Sequence, residues 1–370
     1  MKNFKGFSRI ERAVTIAGLG PAMLVGCAVH NETQIAAHLP APTYRVALPF
    51  PAPAAAPKPR VAAPQALVSS MDTLFRNFSG VAGAAVTSID SGWVVASGQA
   101  QRRMPQQSVS KLWVAMTVLD AVDRGVLRLD QSVTMTRSDL TLFHQPIAAL
   151  IKPDTGYTAT VSELMRRSMQ MSDNSCNDKL LRLAGGPQAV RDFIARRQLG
   201  AIWFGPGERL LQAGTAGLEW KPEYSLGNAF AQARARLSPE VRLAAFEAYV
   251  KDPPDGAAPQ AIADALARLK RGELLSASST DWLVRTMAAS RTGKARIRGG
   301  LPVGWEFAHK TGTGQDLRSR TAGFNDVGIL IAPDGRSYAL AVMIGDTARP
   351  VRERQALMQA VAATVVANHR

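Results

Sequence analysis

Cysteine is nearly absent from this 370-residue chain: Cys27 and Cys176 are its only two. A disulfide-rich scaffold is therefore excluded, and stability has to come from packing. Acidic side chains are also in short supply, 29 Asp and Glu against 44 Lys and Arg, which leaves a formal charge of +15. Such an excess draws anions, whether nucleic acid, anionic lipid or acidic envelope polymers. The arginines are scattered, however, as in Arg191, Arg196, Arg197, Arg234, Arg236 and Arg242, and no basic motif is interleaved with aromatics in the manner of nucleic-acid binders. His309 has no second histidine at ligand spacing, so it does not mark a metal centre. No phosphate-cradling glycine loop is present either, and neither cofactor nor metal is expected. What remains is an ordinary balance, 46% hydrophobic and 20% charged, enough to bury a full core in one large domain or two small ones.

The first 27 residues stand apart. Lys2, Lys5, Arg9 and Arg12 form a basic start, and Ala13 to Met23 an apolar run too short to span a bilayer. Leu24-Val25-Gly26-Cys27 follows. The arrangement resembles an export signal closing in a lipobox, which implies that Cys27 becomes the lipidated first residue of the mature protein. A plain secretory signal cut near Ala28 is the competing reading. Residues 28–66 hold eight prolines, from Pro40 to Pro64, among many alanines and show no apolar periodicity, as in a semi-extended tether. The expected location is the periplasmic side of the cell envelope, held to a membrane by the lipid.

Order is expected over 67–370. Leu67, Met71, Leu74, Phe75 and Phe78 recur at helical spacing. Val81 to Ser88 and Trp93 to Ser97 read as strands of a hairpin, and Leu112 to Asp123 as a helix. Val133 to Gly156 reads as loop. Thr160 and Glu163 then propose a capping box for a helix that runs into Ser172. Further helices are expected at Asp178 to Ala184, from Pro187 to near Gly200, after Ser238-Pro239, at Pro259 to Lys270 and at Thr280 to Ala289. The helix after Pro239 is expected to bury Val241, Leu243, Ala244, Phe246 and Val250. Trp305 to Lys310 reads as a strand, Val327 to Ala332 with Ser337 to Ile344 as a hairpin across Asp334-Gly335, and a last helix opens at Pro350. The fold class is α+β: an antiparallel sheet built from both ends of the chain, flanked by the terminal helices and joined to an all-helical block.

Three short motifs stand in order: Ser108-Val109-Ser110-Lys111, Ser172-Asp173-Asn174 and Lys310-Thr311-Gly312. Each alone is a chance-level match, and the ordered set is specific. Their chemistry is acyl transfer. Ser108 and Lys111, three residues apart on a helix, share a face, so an amine can serve as base to a nucleophilic hydroxyl. Such a base needs a lowered pKa, and Lys310 is the expected positive neighbour. Ser172 can relay a proton to a departing nitrogen. Asn174 offers an amide to a substrate amide, and Lys310 with Thr311 and Thr313 offers a carboxylate cationic and hydroxyl donors. Backbone N–H groups at Ser108 and Thr313 are the expected donors to the developing oxyanion.

With these motifs the chain from about Leu67 to Arg370 resembles the serine penicillin-recognising superfamily, and within it the class A β-lactamases. Gly185-Gly186-Pro187, the run Arg296 to Trp305, and Asn325-Asp326 match that family as well. The resemblance implies a hydrolase that opens the β-lactam amide through an acyl-Ser108 intermediate, in the absence of any cofactor. It assigns Glu208 the activation of the deacylating water, and Arg296 the binding of the substrate carboxylate, with Arg318 and Arg320 as alternatives. Phe143 or His144 falls where the family keeps an aromatic at the pocket rim. Gln212 stands where the family has an asparagine that helps hold the water. The stretch from Glu208 to Lys310 exceeds the family's usual length, and the extra segment is placed within about 214–255. Cys176 reads as a small buried hydrophobe. A monomer is expected. A D,D-peptidase acting on peptidoglycan stem peptides is the alternative function, and a non-catalytic cell-wall-binding lipoprotein the third.

Overall fold

The structure, a computed structural model, describes residues 61–369. The export segment, Cys27 and most of the 28–66 tether lie outside the described residues. Ordered helix begins at Gln65, two residues before the expected Leu67, with Pro64 as its N-cap residue just outside the first turn.

The sheet is five-stranded and antiparallel. Its strands are β1 (Val81–Ser88), β2 (Val94–Gly98), β3 (Glu306–Thr313), β4 (Phe324–Ile331) and β5 (Ser337–Asp346). Their spatial order is β2-β1-β5-β4-β3. The hairpins β1–β2 and β4–β5 are sequence-local, whereas the β1–β5 pairing closes the sheet from opposite ends of the chain. Both faces are covered, so β1, β4 and β5 read as nearly continuous buried runs. Helix α1 (Gln65–Arg76) and the C-terminal helix (Val351–Ala367) pack on one face, placing Leu67, Met71 and Phe75 with Leu357, Met358 and Val361 against the sheet.

The other face carries the helical block, centred on α2 (Lys111–Asp123). From Lys111 to Ala121 every side chain of α2 is buried, as befits a helix enclosed on all sides. Around it stand α3 (Val161–Arg166), α4 (Asn174–Leu183) and α5 (Gly186–Arg196). Thr160 caps α3 by accepting the Glu163 N–H. The reciprocal half of the expected capping box is absent, because the Glu163 carboxylate is taken by Tyr157 and Arg167.

Three expectations need correction. Within the stretch read as loop, Ser132–Met135 pairs with Tyr157–Thr160 as a two-stranded ribbon. Val133 and Met135 point inward while Ser132 and Thr134 are exposed, an alternation too short to stand out in sequence. Between Glu208 and Gly256 the chain forms α6 (Glu208–Thr215) and α7 (Ala229–Arg236) as well as the expected α8 (Pro239–Lys251). Finally, α8 buries Phe246, Tyr249 and Val250 and leaves Val241 and Leu243 exposed. It packs through one narrow stripe against Leu211 and Ala322, so its first two turns face away from the core. Helices α9 (Pro259–Lys270) and α10 (Ala277–Ala288) complete the block.

Candidate active site

Ser108 lies in a single 3₁₀ turn, Gln107–Ser110, that leads directly into α2. The three-residue spacing brings Lys111 Nζ to 2.8 Å from Ser108 Oγ. Lys111 is fully buried, and its Nζ also donates to Asn174 Oδ1 at 2.9 Å and to Glu208 Oε1. An ammonium has three donors, and all three are matched. Lys310 is the positive neighbour expected for this amine, close enough for the two charges to act on each other, and the amine's ionic partner is the Glu208 carboxylate. Lys310 instead donates to Ser172 Oγ and to the Thr311 carbonyl, each at 2.9 Å. Lys310 is the amine whose pKa falls well below the ordinary value, through burial and the nearby positive charge of Lys111.

Ser172 follows a π-helical segment, Arg167–Met171, and adopts a left-handed conformation with φ 62°. That turn aims its hydroxyl at Lys310. Asp173 caps α4, taking the Cys176 N–H on Oδ1 and the Ile147 N–H on Oδ2. Asn174 opens α4, and its side-chain amide is committed at both ends: Nδ2 donates to the Leu142 carbonyl at 2.8 Å while Oδ1 receives Lys111. Cys176 is buried within the same helix, and burial pushes its thiol pKa far up.

Lys310, Thr311 and Thr313 all lie on β3. Gly312 between them sits opposite Asn325 in the sheet register, and a Cβ there would collide with the Gln106 carbonyl oxygen. Asn325 Nδ2 in turn holds the Pro105 and Gln106 carbonyls at 2.8 and 3.0 Å. These contacts fix β3 against the nucleophile turn. Arg296 is buried behind the strand. Its guanidinium donates to the Gly312 and Asn325 carbonyls and to Thr313 Oγ1, and stacks on Phe324 at 3.8 Å. Burial brings its pKa down to about 10. Arg318 and Arg320 do not join this site. Arg320 pairs with Asp346 and Glu247, and Arg318 lines a separate surface depression.

Glu208 starts α6. Its N–H and that of Arg209 donate to the two carboxylate oxygens of Asp178, at 2.9 and 3.3 Å. Burial, with the Glu208 charge adding to it, raises the Asp178 pKa to about 6. One turn on, Gln212 Nε2 reaches Glu208 Oε2 at 3.3 Å and Gln107 Oε1 at 3.1 Å. The longer side chain thus keeps an amide on the Glu208 carboxylate. Asp255 closes the segment from behind by accepting the Gln107 N–H at 2.7 Å and the Tyr249 hydroxyl at 3.2 Å. The Gln107 backbone itself is left-handed, φ 55°.

Ser108, Ser172, Asn174, Gln212, Arg296, Thr311 and Thr313 line one cavity of about 410 Å³. Phe143 and His144 stand at its edge, with Phe143 half-exposed. Glu208, Lys111 and Lys310 are buried beneath this floor. His309 is turned away, bonded through Nδ1 to Asp326 at 2.7 Å. Sequence reasoning missed Asp178, Asp255, Gln107 and Arg234, which also lines the cavity. Asp178 had a readable signal, since it is one turn from Asn174 on the same helix face. Asp255 was hidden in a Pro-Pro-Asp-Gly breaker, and Arg234 among scattered arginines.

A hydroxyl nucleophile touching a buried amine, a second lysine–serine pair and a carboxylate within reach define a serine hydrolase working through an acyl-enzyme. Residues 66–369 match the model of the β-lactamase enzyme family. The extended-spectrum β-lactamase PER-1 of Pseudomonas aeruginosa is 31% identical over 264 residues, 71% of this chain and 74% of that protein. A β-lactamase of Bacteroides uniformis is 28% identical, covering 66% of this chain and 71% of its own. The crystal structure of a β-lactamase from Chitinophaga pinensis superimposes with a TM-score of 0.67 at 26% identity, over 81% of this chain and 97% of that one. The chain belongs to the β-lactamase enzyme family, in its class A branch.

Proposed function

We propose that the protein hydrolyses the β-lactam amide through acyl-Ser108, with Lys111 and Glu208 sharing the proton traffic. The observation that carries this reading is the chain of contacts Ser108 Oγ–Lys111 Nζ–Glu208–Gln212. A proton passed from Lys111 to Glu208 leaves a neutral amine already facing the serine. That amine takes the Ser108 proton as Oγ attacks the lactam carbonyl. The oxyanion is met by the backbone N–H groups of Ser108 and Thr313, where loss of one donor costs about 3 kcal/mol. Ser172, polarised by Lys310, gives its proton to the departing nitrogen and is reprotonated with the proton that Lys111 took from Ser108. Glu208 returns its own proton to Lys111, which restores the carboxylate. Glu208 then takes a proton from water as the hydroxide attacks the ester, and that proton passes to Ser108 Oγ as it leaves. The substrate carboxylate is received by Lys310, Thr311 and Thr313, with Arg296 fixing Thr313 from behind.

Turnover of a chromogenic cephalosporin tests the assignment. Sustained hydrolysis far beyond one equivalent supports it. One equivalent followed by a stable adduct on Ser108 would point to a D,D-peptidase, and no adduct to a binding protein.

The same reading places the domain on the periplasmic side of the envelope as a monomer, tethered through lipidated Cys27. Cys27→Ser should release the protein from membranes, and unchanged fractionation would rule the anchor out.

A further inference from the structure

Helix α7 bridges the mouth of the cavity. At one end the Phe230 ring meets the edge of Phe143, centroids 5.3 Å apart. Toward its other end Arg234 donates Nη2 to the Asp316 carbonyl at 2.8 Å, in the hairpin that follows β3. Phe143 and Arg234 both line the cavity that contains Ser108.

The cationic groups here differ in how their donors are spent. Lys111 is saturated by Ser108, Asn174 and Glu208. Arg296 is tied to two backbone carbonyls and Thr313. Arg234 is different: its Nε is buried with no hydrogen-bond partner, and no carboxylate forms an ion pair with it among the described residues. The Nε of neighbouring Arg242 is equally unpartnered, and the two guanidinium groups repel. Burial and that repulsion together lower the pKa of Arg234. A buried donor without an acceptor is costly, most of all when it is charged. An anionic ligand group would relieve both the orphaned donor and the repulsion.

The occupant follows from the reading of the active site given above, on which this inference rests. With the lactam carbonyl at Ser108 and its ring carboxylate on β3, the acylamino side chain is the part left to reach α7. We propose that Arg234, beside the exposed Phe143 ring, forms a specificity subsite for an anionic group on that side chain. The preferred substrates are β-lactams whose acyl side chain carries both an aryl ring and a carboxylate.

Benzylpenicillin and α-carboxybenzylpenicillin differ by that one carboxylate, so their ratio of second-order acylation constants at Ser108 isolates the subsite. It is measured by quenching and intact-mass analysis of the full chain. In Arg234→Gln the ratio of carboxylated to plain penicillin should fall about ten-fold. Arg234→Lys should restore most of it, because charge without the planar fork still attracts the anion. In the parent, raising the salt concentration should lower the same ratio, which provides a test independent of any variant's folding. A ratio unmoved by Arg234→Gln or by salt, even if both rates drop together, would overturn the proposal and leave Arg234 as a prop for the Asp316 hairpin. Acylation by neither penicillin would overturn the reading of Ser108 and the subsite with it.

Discussion

Asp255 sits directly behind the nucleophile turn, and its ionisation sets how stability depends on pH. Its Oδ2 serves Gln107 and Tyr249, while Oδ1 is buried with no partner. Burial, added to by the Glu208 charge, pushes the carboxyl from 3.8 up to about 7. A carboxyl raised in the folded state holds a proton that the unfolded chain has already released. Stability is therefore greatest below the unfolded value and falls as pH rises from about 4 to about 7, by about 4 kcal/mol in total. Asp255→Asn abolishes this titration. The carboxamide oxygen can take over both bonds of Oδ2, and its NH₂ group inherits the unpartnered position at a cost of about 1–3 kcal/mol. Urea-unfolding free energies of parent and variant, measured from about pH 4.5 to about pH 8.5, are the assay. The variant should be the less stable protein at the acid end and the more stable one at the alkaline end, so the two curves cross. Asp178, raised to about 6, titrates in both proteins and cancels in the difference. Curves that stay parallel would refute the claim that Asp255 is a buried carboxyl with a raised pKa.

Two further outcomes follow from packing around the site. Gly312→Ala forces a Cβ into the Gln106 carbonyl, and backbone cannot yield as a side-chain tip does. Overpacking there should cost about 1–3 kcal/mol and push β3 away from Ser108, read as a lower unfolding midpoint together with a fall in kcat/KM. Cys176 should be inert to thiol reagents in the native protein and react only on unfolding, since it is buried and its thiol pKa lies far above the ordinary range. Rapid labelling under native conditions would contradict its placement in α4.

Much of the architecture was legible because strong local signals coincided with tertiary demand. The β4–β5 hairpin announced itself by Asp334-Gly335 and two apolar runs, and α2 by an apolar pattern beginning at Leu112. The ordered Ser108, Ser172 and Lys310 motifs brought together groups that the structure places around one cavity. What stayed hidden was set by long-range pairing. Which lysine faces which partner depends on how β3 docks on the nucleophile turn: Lys310 is the charged neighbour expected for Lys111, but the pairing of Lys111 with the Glu208 carboxylate could not be read from the sequence. Helices α6 and α7 lack strong signals because α6 carries its buried face on Glu208, Leu211, Gln212, Ala213 and Thr215, three of the five polar, and α7 buries only Phe230. Their order comes from docking: Asp178 holds the start of α6, and Phe143 receives Phe230.

In this mechanism Glu208 decides how long the acyl group stays on Ser108, and Glu208→Gln with a chromogenic cephalosporin puts that role to the sharpest test. The substitution keeps the shape and an oxygen for Lys111 but removes the base, worth about 10²–10⁴-fold in rate. Because the variant cannot take the Lys111 proton, Ser108 should be acylated more slowly and only once, with near-arrest after one equivalent and an acyl adduct on Ser108 that persists in intact-mass spectra. Steady turnover at the parent rate with no accumulating adduct would contradict this role of Glu208.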